Sequence, residues 1–545
     1  MPDLVLGPVL RHVGEIDAVV WVETDAPCVV EVLGAREPTF QVEGHHYAIV
    51  RMEDLEPGAW HEYEVHLDGE RAWPLPASPY PPSAFCTYPK EGPVRIAFGS
   101  CRVSAPHEPP WTLKVDEHPL AREVDALHAL AIRMLREDRE RWPDLLFLAG
   151  DQVYADDNVS PGTRAFIESR RDPNELPEQV VFDFEEYARL YREAWSEPGL
   201  RWLMSTVSTA MIFDDHDVHD DWNTSAAWVE EMRQHEWWRE HIVSALMSYW
   251  VYQHLGNLSP FEHRREELLP AVREADDAGP VLREFAHRVD MNPDSYRWSY
   301  CRDLGDTRLV VIDSRASRVL AEGRRSIVDA EEWDWIAEHA TGDFDHLLIG
   351  TSLPFLLSRG MHELEAWNEA VCAGAWGSRA GRVGERLRQG LDLEHWAAFD
   401  ESFRRLAELI RSVGAGERGS APASIVALSG DVHHAYLMEV AFPRGSGVRS
   451  GVWQAVCSPV RHPLAKRERR AFKLGLTRPF EAVTRALARA AGVEDPPVRW
   501  RTVGDAPIFD NVVSTLTIEG RRMEFRLEKA LPPARLETVI ERRLA

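Results

Sequence analysis

The stretch T-A-M-I-F-D-D-H-D-V-H-D-D-W (209–222) decides the fold class and points to the chemistry. Its first half is apolar without alternation, as in a strand buried on both faces of a parallel sheet. It then runs straight into Asp214, Asp215, His216 and Asp217. Carboxylates placed side by side at the end of a buried strand are costly unless a cation neutralises them. A helix cap or surface turn accounts for one acidic residue there, but not for the whole run.

The same design recurs on both sides. Continuous apolar runs lie at V-R-I-A-F-G-S (94–100), D-L-L-F-L-A-G (144–150), R-L-V-V-I-D-S (308–314), L-L-I-G-T-S (347–352) and I-V-A-L-S-G (425–430). Helical patterns alternate with them, for instance the stripe Val124, Leu127, Leu130, Met134 and Leu135. The Trp-rich segment 226–255 reads as helix facing the core, with His235, His241 and His254 at surface or supporting positions. The chain is therefore α/β. Four strand ends carry chemistry: G-S-C-R, G-D-Q-V-Y, F-D-D-H-D and S-G-D-V-H-H. Sites of α/β sheets gather at the carboxyl ends of strands, so these four ends form the candidate site. Read singly, Cys101 is a small buried hydrophobe and Asp151 a turn residue; read together, the ends are a metal centre.

Residues 1 to about 90 differ. Short alternating strands such as A-V-V-W-V-E-T (18–24) and H-Y-A-I-V-R-M (46–52) are divided by turn residues. The passage D-L-E-P-G-A-W-H-E-Y-E-V (54–65) resembles the Leu-x-Pro-Gly-x-x-Tyr turn of fibronectin type III domains, which implies a small β-sandwich. The Pro-rich W-P-L-P-A-S-P-Y-P-P-S (73–83) then reads as a stiff linker. The expected division is an all-β sandwich over 1–88 and an α/β body over 89–545. Helical insertions are expected near 157–205, 225–300 and 360–415, with a basic helical segment at 461–490.

With 62 Lys and Arg against 89 Asp and Glu, the formal charge is −27. Such a chain repels nucleic acid and anionic lipid as a whole, so no nucleic-acid binding is expected. No apolar run reaches the ~18 residues of a membrane helix, and no signal peptide is legible, so the expected location is cytoplasmic. The six cysteines form no C-x-x-C pair, against a zinc ribbon or disulfide framework. An acidic protein acting on an anionic substrate must supply cations locally, and carboxylates, imidazoles, a thiolate and a phenolate suit two metal ions.

The ordered motifs F-G-S-C-R, G-D-Q-V-Y-A-D, F-D-D-H-D-V-H-D-D-W, G-T-S-L-P and S-G-D-V-H-H resemble the alkaline phosphatase D (PhoD-like) family of calcineurin-like metallophosphoesterases. The resemblance implies an αββα sandwich of mixed sheets and a phosphoric ester hydrolase that uses a metal-bridging hydroxide. It implies that Asp151 bridges the ions, that Cys101 and Tyr154 bind the tightly held one (ferric iron in purple members), and that Asp215, Asp431 and His433 are further ligands. It implies His216 as the catalytic histidine, and iron with calcium or manganese as the metals. Arg102 and Arg461 are candidates for holding substrate oxygens. The sequence departs from the wider superfamily in lacking a D-x-H on the first strand and a ligand His near 350–354, for which His346 stands at the wrong strand end. Two other readings stand beside this one: a phosphodiesterase or phospholipase D-like activity at the same site, and a non-catalytic binding protein on a metal-containing scaffold.

Overall fold

The computed structural model describes residues 1–76 and 78–545; Ala77, within the Pro-rich passage, lies outside the described residues. Ten short strands come first: β1 (Leu4–Val13), β2 (Ala18–Thr24), β3 (Val29–Val32), β4 (Ala35–Pro38), β5 (Phe40–Val42), β6 (His45–Met52), β7 (Trp60–Glu62), β8 (Val65–Leu67), β9 (Glu70–Trp73) and β10 (Ala84–Cys86). They pair antiparallel as two four-stranded sheets, β1-β2-β6-β5 and β4-β3-β8-β9, with β10 on β7. This is the all-β region that its alternating sequence predicts.

The body holds two mixed sheets. The first runs in the order β13 (Ser208–Ile212), β12 (Leu145–Ala149), β11 (Val94–Gly99), β21 (Val512–Glu519), β22 (Arg522–Leu531), β23 (Arg535–Arg543). The second runs β14 (Tyr300–Leu304), β15 (Thr307–Val311), β16 (His346–Gly350), β17 (Ser424–Ser429), β19 (Gly451–Val456), β18 (Ala435–Ala441), β20 (Arg499–Ile508). Strands β11, β12 and β13 are mutually parallel, as are β15, β16, β17 and β19. All six apolar runs read from the sequence are among them.

Two-residue alternation sorts each strand of the second sheet between two cores. Leu309, Val311, Leu348, Val426 and Leu428 join the core shared with the first sheet. Val310, Ile312, Leu347, Ile349 and Ile425 face away, onto Trp333 and Ile336 of helix Ala330–His339 and Phe403, Leu406 and Ile410 of helix Asp400–Ala415. The sheets approach so closely at Gly350 that a Cβ there would meet the Phe147 ring at 2.7 Å. Helix Ala126–Met134 covers the first sheet on its outer side, giving the αββα order of layers. Leu135, expected on its apolar stripe, is instead exposed just beyond the helix.

The N-terminal region is packed into this body. Arg11 of β1 is fully buried and donates to the Gln253 carbonyl and, at 3.2 Å, to Asn257 Oδ1. Asn257 in turn brackets Met211 of β13, accepting from its amide at 3.0 Å and donating to its carbonyl at 2.7 Å. The Pro-rich passage also packs rather than spans: Tyr80 stacks on Trp202 at 5.4 Å, and Trp202 Nε1 donates to the Pro81 carbonyl. Among the described residues no helix is long and apolar enough to cross a membrane.

Candidate metal centre at the strand ends

Three of the four ligand-bearing strand ends finish in an unusual backbone conformation. Cys101 after β11, Asp151 after β12, and Asp431 and His433 after β17 have φ of 57°, 52°, 66° and 49°. Non-glycine residues adopt this left-handed region at a cost of about 1–3 kcal/mol each. The two glycines that precede the aspartates are needed for close approach. A Cβ on Gly150 would lie 2.6 Å from Asp214 Cβ, and one on Gly430 would lie 1.9 Å from Ser100 Oγ. The loops then brace one another across the gap between the sheets: Arg102 N to Asp151 O (3.1 Å), Val460 N to Ser100 O (2.8 Å), Arg461 N to Cys101 O (3.1 Å) and Asp431 N to Ser100 Oγ (3.1 Å).

The result is a chain of donor sets. Ligand atoms lie within 4.8 Å of one another in Cys101, Asp151 and His433; in Asp151, Asp215 and His216; and in Asp214, Asp215 and Asp431. Asp151 belongs to the first two sets and Asp215 to the last two. The Tyr154 hydroxyl reaches Asp151 Oδ2 at 3.4 Å, and its ring stacks on His216 at 4.6 Å. All seven residues singled out by sequence as ligands or catalytic histidine are thus brought together.

The donor set fits a metal. Asp151 Oδ1 and Asp214 Oδ2 are buried oxygens with no hydrogen-bond donor, and Asp215 Oδ1 faces only the Arg315 guanidinium, 3.1 Å away. Burial, only partly opposed by His216, and the charges of Asp214 and Asp215 push Asp151 well above the carboxylate range. Burial and the neighbouring carboxylates raise the Cys101 thiol and the Tyr154 phenol likewise. Cations placed among these atoms would remove all of those penalties at once.

Several residues of the centre escaped the sequence reading. Arg315 is fully buried and meets Asp214, Glu394, Asp215 (3.1 Å) and Asp431 (3.6 Å). It follows the apolar run 308–314 as the other site residues follow theirs, which was a usable signal. His395 holds Asp431 Oδ2 at 3.0 Å and Glu365 at 2.7 Å, and His462 lies 3.1 Å from the Tyr154 hydroxyl and 3.3 Å from His433 Nε2. Asp156 holds His216 Nδ1 at 3.0 Å. Burial opposes a charge on that imidazole, yet Asp156, Asp215 and Asp151 raise its pKa well above 6.5.

Asp217 is the organiser of the first turns. It accepts from the amides of Asp151 (2.9 Å), Gln152 (3.1 Å), Val153 (3.2 Å) and Asp214 (3.0 Å), and from Gln253 Nε2 at 3.2 Å. Gln253 lies in a π-helical turn, Tyr249–His254, within the Trp-rich segment. Such turns widen a helix locally and re-aim a side chain. Of the histidines in that segment, His235 is exposed as expected, whereas His241 and His254 are core residues, packed among Trp237 and Trp238 and among Tyr296 and Trp298.

Arg102 and Arg461 are engaged elsewhere. The Arg102 guanidinium holds Asp125 (2.8 Å) and the Ala194 carbonyl (2.9 Å); that of Arg461 holds the carbonyls of Ala105 and Pro106. His346 sits at the start of β16 between Ser424 Oγ and the Gly520 carbonyl, remote from the strand ends that form the centre.

Comparison with known proteins bears on the fold and on part of the body. Residues 127–285 match the family model described as PhoD-like phosphatase, and residues 1–85 match DUF7800, a domain of unknown function. No curated protein matches the chain. A solved structure titled "Structure of PhoD" is similar over 100% of this chain and 92% of its own, at 13% identity and a TM-score of 0.60. A cyclomaltodextrinase covers 96% of this chain and 89% of its own at 8% identity, with a TM-score of only 0.18. On the fold of PhoD, and behind an N-terminal DUF7800 region, the chain carries a PhoD-like phosphatase domain.

Proposed function

We propose that the protein is a metal-dependent phosphoric ester hydrolase whose reaction takes place at the strand-end donor cluster. The observation that carries this reading is the pair of buried, unpartnered oxygens of Asp151 and Asp214, grouped with Asp215 beside the Cys101 thiol and the Tyr154 hydroxyl. Cys101, Asp151, Tyr154 and His433 would hold one ion, with iron favoured by the thiolate and phenolate; Asp151, Asp215 and Asp431 would hold a harder one, calcium or manganese. Bound there, the ions supply Lewis-acid charge and activate the water nucleophile. Asp156 fixes His216 through Nδ1 and leaves Nε2 free, 3.8 Å from Asp220, to deliver a proton to the leaving oxygen. His395 and Arg315 hold Asp431 and Asp215 in orientation.

Elemental analysis tests the metal assignment, since a fully active preparation without iron overturns the roles of Cys101 and Tyr154. His216→Ala should keep its metal and lose about 10²–10⁴-fold in rate on alkyl phosphoesters, where the leaving group needs a proton. The loss should be smaller on nitrophenyl esters, and equal losses on both refute the acid role.

A second reading has its own support. A cavity of about 70 Å³ lined by Leu357, Met361, His395, Val432, Tyr436 and Phe472 adjoins the Asp431 loop. Its largely apolar wall favours a phosphodiester with an apolar second substituent, which parallel assays of mono- and diesters would distinguish.

A further inference from the structure

Three potential ligands converge away from the strand-end centre, at the junction of the loop that follows β11 with two helices. His107 lies in that loop, His128 in the first turn of helix Ala126–Met134, and Glu197 caps helix Pro198–Thr206. One ligand atom from each lies within 4.8 Å of the other two. The two imidazoles face each other with ring centres 4.0 Å apart and planes 19° apart. His128 Nδ1 is buried and has no hydrogen-bond partner, while Glu197 Oε1 stands 3.5 Å away.

Each ligand is held by a framework of its own. Arg461 grips the carbonyls of Ala105 and Pro106, immediately before His107. Asp125, paired with Arg102, caps the helix carrying His128 by accepting from the amides of Leu127 (2.9 Å) and His128 (3.3 Å). Glu197 spends Oε2 on the Leu200 amide at 2.7 Å, so Oε1 remains for another partner. Positioning of this kind is what a metal site requires before the ion arrives. Protonation is also suitable: burial, with help from Arg461, lowers the His107 pKa to about 4. Burial would raise Glu197, but His128 and the amides of Leu200 and Gly199 bring it to about 2. Near neutral pH, His107 therefore offers a free lone pair and Glu197 a negative charge.

We propose that His107, His128 and Glu197 form a second site for a divalent transition metal, zinc by its nitrogen and oxygen donors, with water as the fourth ligand. The ion ties the 103–125 loop to both helices.

The test is zinc content of the full-length, metal-replete protein, compared with that of His107→Ala, His128→Ala and Glu197→Gln. The wild type should hold one zinc per chain more than each variant, with iron content and turnover at moderate temperature unchanged. Cobalt(II) replacing that zinc should give visible ligand-field absorption that the variants lack. Glu197→Gln keeps an oxygen for the Leu200 amide, so it carries the test if either histidine variant fails to fold. Equal zinc in all forms overturns the proposal. Zinc loss accompanied by iron loss overturns it too, because it would place the zinc in the strand-end centre.

Discussion

Asp217→Asn is the substitution whose outcome follows most directly from the structure. Asp217 has five donors around two oxygens: Oδ1 takes Gln152, Val153 and Gln253, and Oδ2 takes Asp151 and Asp214. Burial raises its pKa to about 7 while the amides pull it down, and surroundings made only of donors select the ionised form. Asparagine has nearly the same shape but one acceptor oxygen. In its better orientation the amide oxygen replaces Oδ1, and the NH₂ group then confronts the Asp151 and Asp214 amides. Two buried donors left unpaired cost about 1–3 kcal/mol each. Losing the charge weakens the three remaining bonds by roughly half, since charge-assisted bonds are about twice as strong as neutral ones. The sum is on the order of 4–10 kcal/mol, comparable with the 5–15 kcal/mol typical of a folded protein. Urea titration at fixed metal concentration should show that loss, and hydrogen exchange should become fast at residues 151–153. Metal content should fall as well, because Asp151 loses its anchor. A variant with unchanged midpoint, exchange and metal content refutes the claim that Asp217 organises the centre.

Other outcomes follow from the same structure. Arg11→Ala removes the side-chain donor to the Gln253 carbonyl and one of the two donors to Asn257 Oδ1, and leaves a cavity in the core, so stability should drop by about 3 kcal/mol. Calorimetry should show one cooperative transition moved down; a separate early transition for residues 1–88 would refute the coupling. His45 lies between Glu185 (2.7 Å) and Glu23 (3.3 Å), and although burial works against it, those carboxylates raise its pKa from 6.5 to about 9. A raised folded-state value means stability that is full below pH 6.5 and lost as pH rises through about 9. At ~1.4 kcal/mol per unit, reduced because Glu185 is half exposed, about 1–2 kcal/mol should disappear across that window. Glu185→Gln should flatten this dependence, and an equally steep fall in the variant refutes the assignment. Arg315→Met leaves the carboxylates of Asp214, Asp215, Glu394 and Asp431 without their shared cation, so the metal-free protein should lose about 3–5 kcal/mol. Added calcium should restore part of it, and a metal-free variant as stable as wild type refutes the role.

The body of the fold was legible because its strands are apolar throughout and end abruptly in Cys, Asp or His. The same abruptness exposed Cys101, Asp151, Asp215, His216 and Asp431. His395 and His462 were not legible, since they come from loops and are brought to Asp431 and Tyr154 only by the packing of the second sheet. Arg315 carried the same strand-end signal, but the four carboxylates that surround it come from three separate segments that only the fold brings together. The Pro-rich passage was composed like a linker, but linker composition does not record that Tyr80 has Trp202 to stack on. Arg11 was least legible of all. A charge in an alternating strand suggests a solvent-facing position, and only the tertiary structure reveals acceptors waiting for it in the Trp-rich segment.

The left-handed backbone at Cys101, Asp151, Asp431 and His433 has an evolutionary consequence. Asp and His enter this region more readily than most side chains, so Cys101 is the one held furthest from the preference of its own residue. In a descendant released from selection for what these side chains bind, glycine and asparagine should accumulate at these four positions first. The relief is largest for glycine at Cys101, about 1 kcal/mol or more of backbone energy. A relative with the same sheets but Gly or Asn at several of them would be a more stable protein that has abandoned the chemistry.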